Sequence, residues 1–455
     1  MTQEKIKKIA IAWLAFAASV SQINAAAPQP SFDTENSQVL TIQSFHRSQQ
    51  DENSPTPVPV SNDRYWVQAE ASDAAARTQI ANAGVGIEEI QGSQVTGLAS
   101  LQTIDRLQKM GIRFKMSPTT EMVTAQDFPA PDSAFHNYSR MQAELNSLAS
   151  SAPGIASLFS IGHSVQGRDL LAIEISAGNS KTHAKKKSGI VFMGTHHARE
   201  HLSTEIPLLL AQYLITHRND PDIYHLLKTR DIYIIPMVNP DGVEYDIKGG
   251  HYHLWRKNRR RFSPFSYGVD LNRNYGYHWG TDGASQDPND ETYAGPAAFS
   301  EPETQAVKHF IESHPNITTL LSYHSFSELI LYPWGYTDSP ISDGNSLRSY
   351  QGMANAMAKL TGYTPEQSSA LYTTSGDTTD WAWGAHHIYS FTIELTPTDN
   401  NTSAFNGFYP GASAIAPTFA KNLPAALYLI QAAGTSKNSG SLATQTPRPL
   451  TQPVN

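Results

Sequence analysis

Ile190-Val191-Phe192-Met193 is a short apolar run without a polar break, and it stops at Gly194. A run this short reads as a strand buried on both faces. Asp231 to Val238, Ile317 to Tyr323 and Tyr389 to Leu395 have the same character; Leu158 to His163, Leu170 to Ile175 and Leu329 to Tyr332 read as further strands. Helical patterns lie between them. Tyr138 to Leu148 is one. A second carries Leu208, Leu209, Leu210, Leu214 and Ile215. A third opens at the capping box Ser300-Glu301-Pro302-Glu303. Leu347 to Leu360 is closed by Gly362, and Pro417 to Ala433 carries a proline, Pro424, that predicts a kink or a later start. Asn239-Pro240-Asp241-Gly242 reads as a turn. Strands alternating with helices predict an α/β fold over residues 134–434: a mixed, mostly parallel central sheet with helices on both faces.

The apolar run feeds directly into Gly194-Thr195-His196-His197-Ala198-Arg199-Glu200-His201. Sites in open α/β sheets lie outside the carboxyl ends of strands, so this octet is a candidate half of a metal site. Two registers compete. His197 and Glu200 can be ligands with a third far downstream, or His197 and His201 can be ligands with Glu200 as base. The second requires a continuous helix through the octet. Ser203-Thr204-Glu205-Ile206-Pro207 reads instead as a helix start, with a hydroxyl cap and a proline tolerated in the first turn. The octet is therefore expected to be a loop, which favours the first register.

Composition narrows the chemistry. The 455-residue chain has no cysteine, so a metal site must use His, Asp or Glu. Its net charge of −8 argues against a general nucleic-acid surface; the basic cluster Arg256-Lys257-Asn258-Arg259-Arg260-Arg261 reads locally as a solvated charge run. Lys5, Lys7 and Lys8 precede the apolar stretch Ile9 to Val20 and the small residues Ala25-Ala26-Ala27. That is the layout of a cleaved export signal, residues 1–27, too short for a comfortable membrane span. A secreted or periplasmic bacterial protein, without a membrane span after signal removal, is expected. Residues 28–62 form a Pro/Ser/Gln/Asn-rich arm, and residues 435–455 a low-complexity tail. Between Arg64 and Met116 the order β-α-β-β-α-β suggests a small ferredoxin-like α+β unit, residues 63–117, with Ser72 and Ser100 as helix caps. Residues 118–133 read as a cleavable connector, and the unit as a prosegment over the site.

Further polar residues sit where the large unit's strands end. His324 closes the strand from Ile317 and completes a His197, Glu200, His324 set with one open position, the layout of catalytic zinc. Glu394 interrupts the apolar strand Phe391-Thr392-Ile393-Glu394-Leu395, where a carboxylate needs a reason: a general base beside a metal, or a buried salt bridge. Asp270-Leu271-Asn272-Arg273-Asn274 offers an amide beside a guanidinium, which binds carboxylates bidentately, though a structural loop would look the same.

Taken together, these segments resemble the zinc metallocarboxypeptidases of the carboxypeptidase A type over about residues 135–432, closest in pattern to the bacterial carboxypeptidase T-like enzymes. The octet resembles the family's H-x-x-E segment, and Trp255-Arg256-Lys257 the segment whose arginine polarises the scissile carbonyl. Gly268 to Asn274 resembles the carboxylate-binding segment, Tyr323-His324-Ser325 the third-ligand segment, Leu371-Tyr372 the mobile tyrosine and Phe391 to Leu395 the general-base segment. The resemblance implies one Zn2+ on His197, Glu200 and His324, Glu394 and Arg256 as catalytic groups, and Asn272, Arg273 and Tyr372 as the grip on a peptide's C-terminal carboxylate. It further implies Asp270 as a partner that orients His197, and Arg199 as a contact to the more distant peptide. His196 and His201 are expected behind the ligands or at the surface, and His251, His253, His386 and His387 carry no role. Thr379 stands where enzymes strict for Lys or Arg carry an acid, while Asp377 matches the carboxypeptidase T pattern of mixed apolar and basic acceptance; Asp377 also reads as a helix cap. The expected protein is a monomeric exported zymogen acting on peptide and protein C-termini. Enzymes trimming diaminopimelate-ended cell-wall peptides, and a non-catalytic binding module, are the alternatives.

Overall fold

The structure is a computed structural model that describes residues 64–118, 127–178, 187–263, 266–398 and 404–434. The expected export signal, the arm and the C-terminal tail lie outside these residues, as does the middle of the expected connector. No helix among the described residues is long and apolar enough to cross a membrane.

The N-terminal unit has the order β1 (Arg64–Glu70), helix Ala74–Asn82, β2 (Gly86–Gln91), β3 (Gln94–Ser100), helix Leu101–Lys109 and β4 (Phe114–Pro118). Its strands pair antiparallel in the order β2-β3-β1-β4. Val67, Ala69, Ile80, Val85, Val95 and Ile104 form its core. Ser100 caps the second helix by accepting from Thr103 N. The first helix is capped by Asp73, not Ser72: the carboxylate accepts from Ala76 N at 2.8 Å, a charge-assisted bond that the neighbouring hydroxyl does not match.

The main sheet has eight strands: β5 (Ala156–His163), β6 (Asp169–Ile175), β7 (Ser188–Gly194), β8 (Arg230–Ile235), β11 (Ile317–Ser325), β12 (Leu329–Tyr332), β13 (Thr364–Gln367) and β14 (Tyr389–Leu395). A two-stranded ribbon, β9 (Arg261–Ser263) with β10 (Ser266–Tyr267), lies apart from it. The order is β13-β12-β14-β11-β7-β8-β6-β5. The central pairs β14-β11, β11-β7 and β7-β8 are parallel, and antiparallel pairs flank them. Both faces are covered. Ile190 and Phe192 join a core packed by helices Tyr138–Ser151, Leu202–Thr216 and Ile415–Ala432, while Val191 and Met193 join a second core with Val307, Phe310 and Trp381. The run is apolar throughout because neither face of β7 meets water.

Four local expectations change. Helix Leu202–Thr216 starts earlier than its polar residues suggested, and Pro207 lies well inside it. The Ser203 carbonyl, which a residue 207 N–H would otherwise engage, lies against Gly194, where an added Cβ would stand 1.8 Å from its oxygen. The Ser203 hydroxyl accepts from Thr195 N and donates to the Glu200 carbonyl, so it ties the octet together instead of capping. The capping box at Ser300 is not formed: helix Pro302–Ser313 begins as expected, but Glu303 accepts from Val165 N on another segment. Pro240–Asp246, expected as a turn, is a short helix capped by Asn239. Pro424 sits within helix Ile415–Ala432 instead of delaying its start. The end of the expected connector is packed, with Phe128 buried in the main core and Asp132 accepting from Tyr252 Oη.

Gly194→Ala should force the Ser203 carbonyl away from β7 and cost about 1–3 kcal/mol of stability. Thermal unfolding checks this, and an unchanged melting temperature would show that the loop yields freely.

Candidate active site

Parallel pairing brings three strand ends to one edge. Tyr323 of β11 is level with Gly194 of β7, and His324 of β11 is level with Glu394 of β14. The chain beyond Gly194 turns back as a loop stitched by Glu200 N to His197 O and Ser203 N to Glu200 O. His197 and Glu200 therefore face His324 across the strand ends, as the first register requires.

His197 Nδ1 lies 2.6 Å from Glu200 Oε1, His324 Nδ1 lies 3.0 Å from Glu200 Oε2, and the two Nδ1 atoms are 3.2 Å apart. All three residues are buried, and they form the one His/Asp/Glu group suited to a metal among the described residues. His197 Nε2 is 3.2 Å from Asp270 Oδ1 and His324 Nε2 is 3.1 Å from Ser322 Oγ. Each Nε2 thus has its own hydrogen-bond partner, which leaves both Nδ1 lone pairs turned toward one carboxylate. Such a convergence of lone pairs and negative charge is stable around a cation, so the set fits Zn2+. Burial opposes ionisation of Glu200, but His197 and His324 outweigh it and hold its carboxyl below the usual range.

Asp270, wholly buried, joins three parts of the site. Oδ1 accepts from His197 Nε2 and from Asn272 N at 2.9 Å, and Oδ2 accepts from Arg256 Nε at 2.9 Å. Burial works against its charge, but Arg256, His197 and Arg273 keep its carboxyl well below the usual range. Glu394 has no such partner. Burial, then the charge of Glu200, pushes its carboxyl up to about 8 against the pull of His197 and Arg256.

A cavity of about 840 Å3, its open mouth included, brings together His197, Glu200, His324, Arg256 and Glu394. Asn272, Arg273, Tyr372, Asp377 and Thr379 line it too. Asn272 Oδ1 accepts from Thr378 N at 3.0 Å and from Thr378 Oγ1 at 2.8 Å, so its amide nitrogen is the end left for a ligand. Arg273 donates to the carbonyls of Gly283 and Asn272. Asp377 caps helix Thr378–His386 through Asp380 N at 2.8 Å and accepts from Thr374 Oγ1 and Thr379 Oγ1. Arg199 is not at the cavity surface: it is fully buried and bonded to Leu254 O, Glu291 and Glu88. His201 points away from the metal group to Asp246, at 2.8 Å, beneath Phe128 and Tyr409.

Sequence reasoning missed the partners of these groups. Glu88, Glu291, Ser322 and Thr378 carry no local signal, because each is distant in sequence from, or hidden in the same apolar strand as, the residue it serves. His196, expected behind the ligands or at the surface, is fully buried against His324, and burial holds its imidazole well below its usual range, with His324 and His197 adding to the effect.

Asp270→Asn replaces an ionised acceptor shared by His197 and Arg256. Zinc affinity, read by chelator competition, should fall about 10- to 100-fold. Unchanged affinity would mean that Asp270 does not orient His197.

Comparison with known proteins gives the same family. Residues 141–425 match the sequence model of the family described as "Zinc carboxypeptidase". A zinc carboxypeptidase of Saccharothrix mutabilis subsp. capreolus is 34% identical over 383 residues, 79% of this chain and 87% of the relative. Carboxypeptidase A2 of Mus musculus is 33% identical over 63% of this chain and 67% of its own. Among solved structures, thrombin-activatable fibrinolysis inhibitor superposes with a TM-score of 0.64 at 25% identity, covering 83% of this chain and 100% of that one. Carboxypeptidase A from Helicoverpa armigera, at 22% identity and a TM-score of 0.66 over 82% of this chain and 99% of its own, shares the fold. The chain belongs to the zinc carboxypeptidase family, hydrolases whose cofactor is Zn2+.

Proposed function

We propose that this protein is an exported carboxypeptidase, made as a latent precursor, that hydrolyses the C-terminal bond of peptides and accepts apolar and basic terminal residues. The observation that carries the reading is the meeting of the metal group, Arg256, Glu394 and the Asn272-Arg273-Tyr372 set in one cavity. Zn2+ on His197, Glu200 and His324 would supply Lewis acidity at the scissile bond. Asn272, its amide oriented by Thr378, and Arg273 grip the terminal carboxylate, and Tyr372 closes over it. Glu394, ionised once a bound cation offsets the charge of Glu200, takes a proton from the attacking water and hands it to the departing amine nitrogen. Arg256, held by Asp270, faces the charge that builds on the carbonyl oxygen. His201 has no part in ligation.

Specificity follows from Asp377. It accepts from two hydroxyls and a backbone N–H and pairs with no cation among the described residues, so it is left to meet a substrate cation, while Phe326 and Leu331 in the same cavity suit apolar side chains. Capping and recognition are thus compatible roles for one carboxylate.

Latency is supported by the N-terminal unit's contacts. Ile87, Glu88 and Ile90 line the cavity, and Glu88 holds Arg199, the candidate contact to the more distant peptide. Arg106 pairs with Asp287 and Asp290, and Arg64 with Glu291. Arg77 donates to the Ala370 and Leu371 carbonyls beside Tyr372, and Thr373 N donates to Thr78 Oγ1. Removal of this unit is the expected activation step.

The test is hydrolysis of short peptides ending in Phe, Leu, Lys, Arg or Glu, as acids and as amides, before and after limited proteolysis. Free acids should be cut, only with zinc present, and faster after proteolysis; equal cutting of amides would refute the carboxylate grip. Glu394→Gln should lower kcat about 10²- to 10⁴-fold with zinc retained. Asp377→Asn should lower the Arg-to-Phe preference roughly tenfold, and an unchanged ratio would leave Asp377 a cap alone.

A further inference from the structure

We infer that His196 is a positioning residue that couples the metal ligand His324 to the carboxylate grip at Asn272, through a one-way chain of hydrogen bonds; the Asn272 end rests on the carboxypeptidase reading above. His196 does not line the cavity. Its ring stacks on that of His324, with centroids 5.6 Å apart and planes 9° apart.

With a metal ion on His324 Nδ1, the chain we infer runs in one direction. His324 turns Nδ1 toward Glu200 and His197, so Nε2 carries the proton and donates to Ser322 Oγ at 3.1 Å. Ser322 has one hydroxyl proton, and its Oγ also lies 3.3 Å from His196 Nδ1. In this chain the hydroxyl donates to Nδ1. His196 then carries its own proton on Nε2, which lies 2.9 Å from Tyr275 Oη and 3.2 Å from Thr378 Oγ1. Thr378 Oγ1 donates in turn to Asn272 Oδ1 at 2.8 Å.

Ser322, His196, Tyr275 and Thr378 are at most 1% exposed. Water has no access to these links, so each group finds its partner within the protein. Hydrogen bonds aligned in one direction polarise one another. Positive charge drawn toward His324 strengthens its Nε2–H as a donor. Each following O–H or N–H becomes a better donor in turn, ending at the Asn272 amide N–H. Filling the metal position thereby readies the group that meets the substrate's carboxylate.

The experiment times zinc release to a chelator from the full chain, from His196→Phe, from Ser322→Ala and from the double variant. Melting of the metal-free forms is the fold control. After limited proteolysis the acid-to-amide cleavage ratio is measured for each. The chain predicts release about tenfold faster in each single variant, and little further change in the double, because both cut the same path. It also predicts a several-fold higher KM for the free acid in His196→Phe. Release within about twofold of wild type in a folded His196→Phe, or fully additive effects, overturns the inference. So does faster release with an unchanged acid-to-amide ratio. If His196→Phe does not fold, 15N spectra of the histidine-labelled, zinc-loaded wild type decide: His196 protonated on Nε2 supports the chain, and protonation on Nδ1 overturns it. A wild type that fails to prefer acids would sink the carboxypeptidase reading itself, a separate result.

Discussion

A single buried carboxylate organises the catalytic edge. Asp270 would be costly inside protein if left alone, but it is surrounded by donors: the imidazole of His197, the guanidinium of Arg256 and the backbone of Asn272. These groups come from three different loops. Their distances to one another are set by the two oxygens of one side chain, so the metal group, the arginine and the amide form one rigid constellation. Pairing of this kind is less a source of net stability than a way to specify geometry.

That constellation depends on a close approach beneath it. The loop carrying His197 and Glu200 can fold back because Gly194 leaves room for the Ser203 carbonyl. Pro207, which lacks an N–H, makes no competing claim on that carbonyl. The parallel pairing of β7, β11 and β14 then decides which side chains are level: His324 beside Glu394, one residue past the level of Gly194. Glu394 lies level with His324 without a fixed cationic partner, and burial, with the charge of Glu200, raises its carboxyl.

The N-terminal unit adds a second layer of polar contacts to this edge. Its arginines meet the acidic loop Asp287 to Glu291, and its β2 strand supplies cavity wall. Asp290 sits against Gly84, where a side chain would collide with its carboxylate, so the two surfaces are fitted at backbone level. These contacts join residues far apart in the chain, so they are invisible to any reading of local pattern.

The sequence by itself determined the architecture and the candidate reacting groups. The unbroken apolar run Ile190 to Met193 required a strand covered on both faces, and His197, Glu200, His324 and Glu394 each stood at or near a strand end. Those signals are local: side-chain periodicity and chemically unusual residues in apolar surroundings. Local signals also misled, at Ser203, Ser300 and Pro424, where tertiary contacts redirected a hydroxyl, a carboxylate and a proline from the roles their neighbours suggested. Only the tertiary structure decided the hydrogen-bond partners behind the ligands, the burial of Arg199 against Glu88 and Glu291, and the place of His196 against His324. Each of these is a pairing between residues far apart in the chain, and a hydrogen bond leaves no trace in sequence until folding brings its donor and acceptor to within about 3 Å.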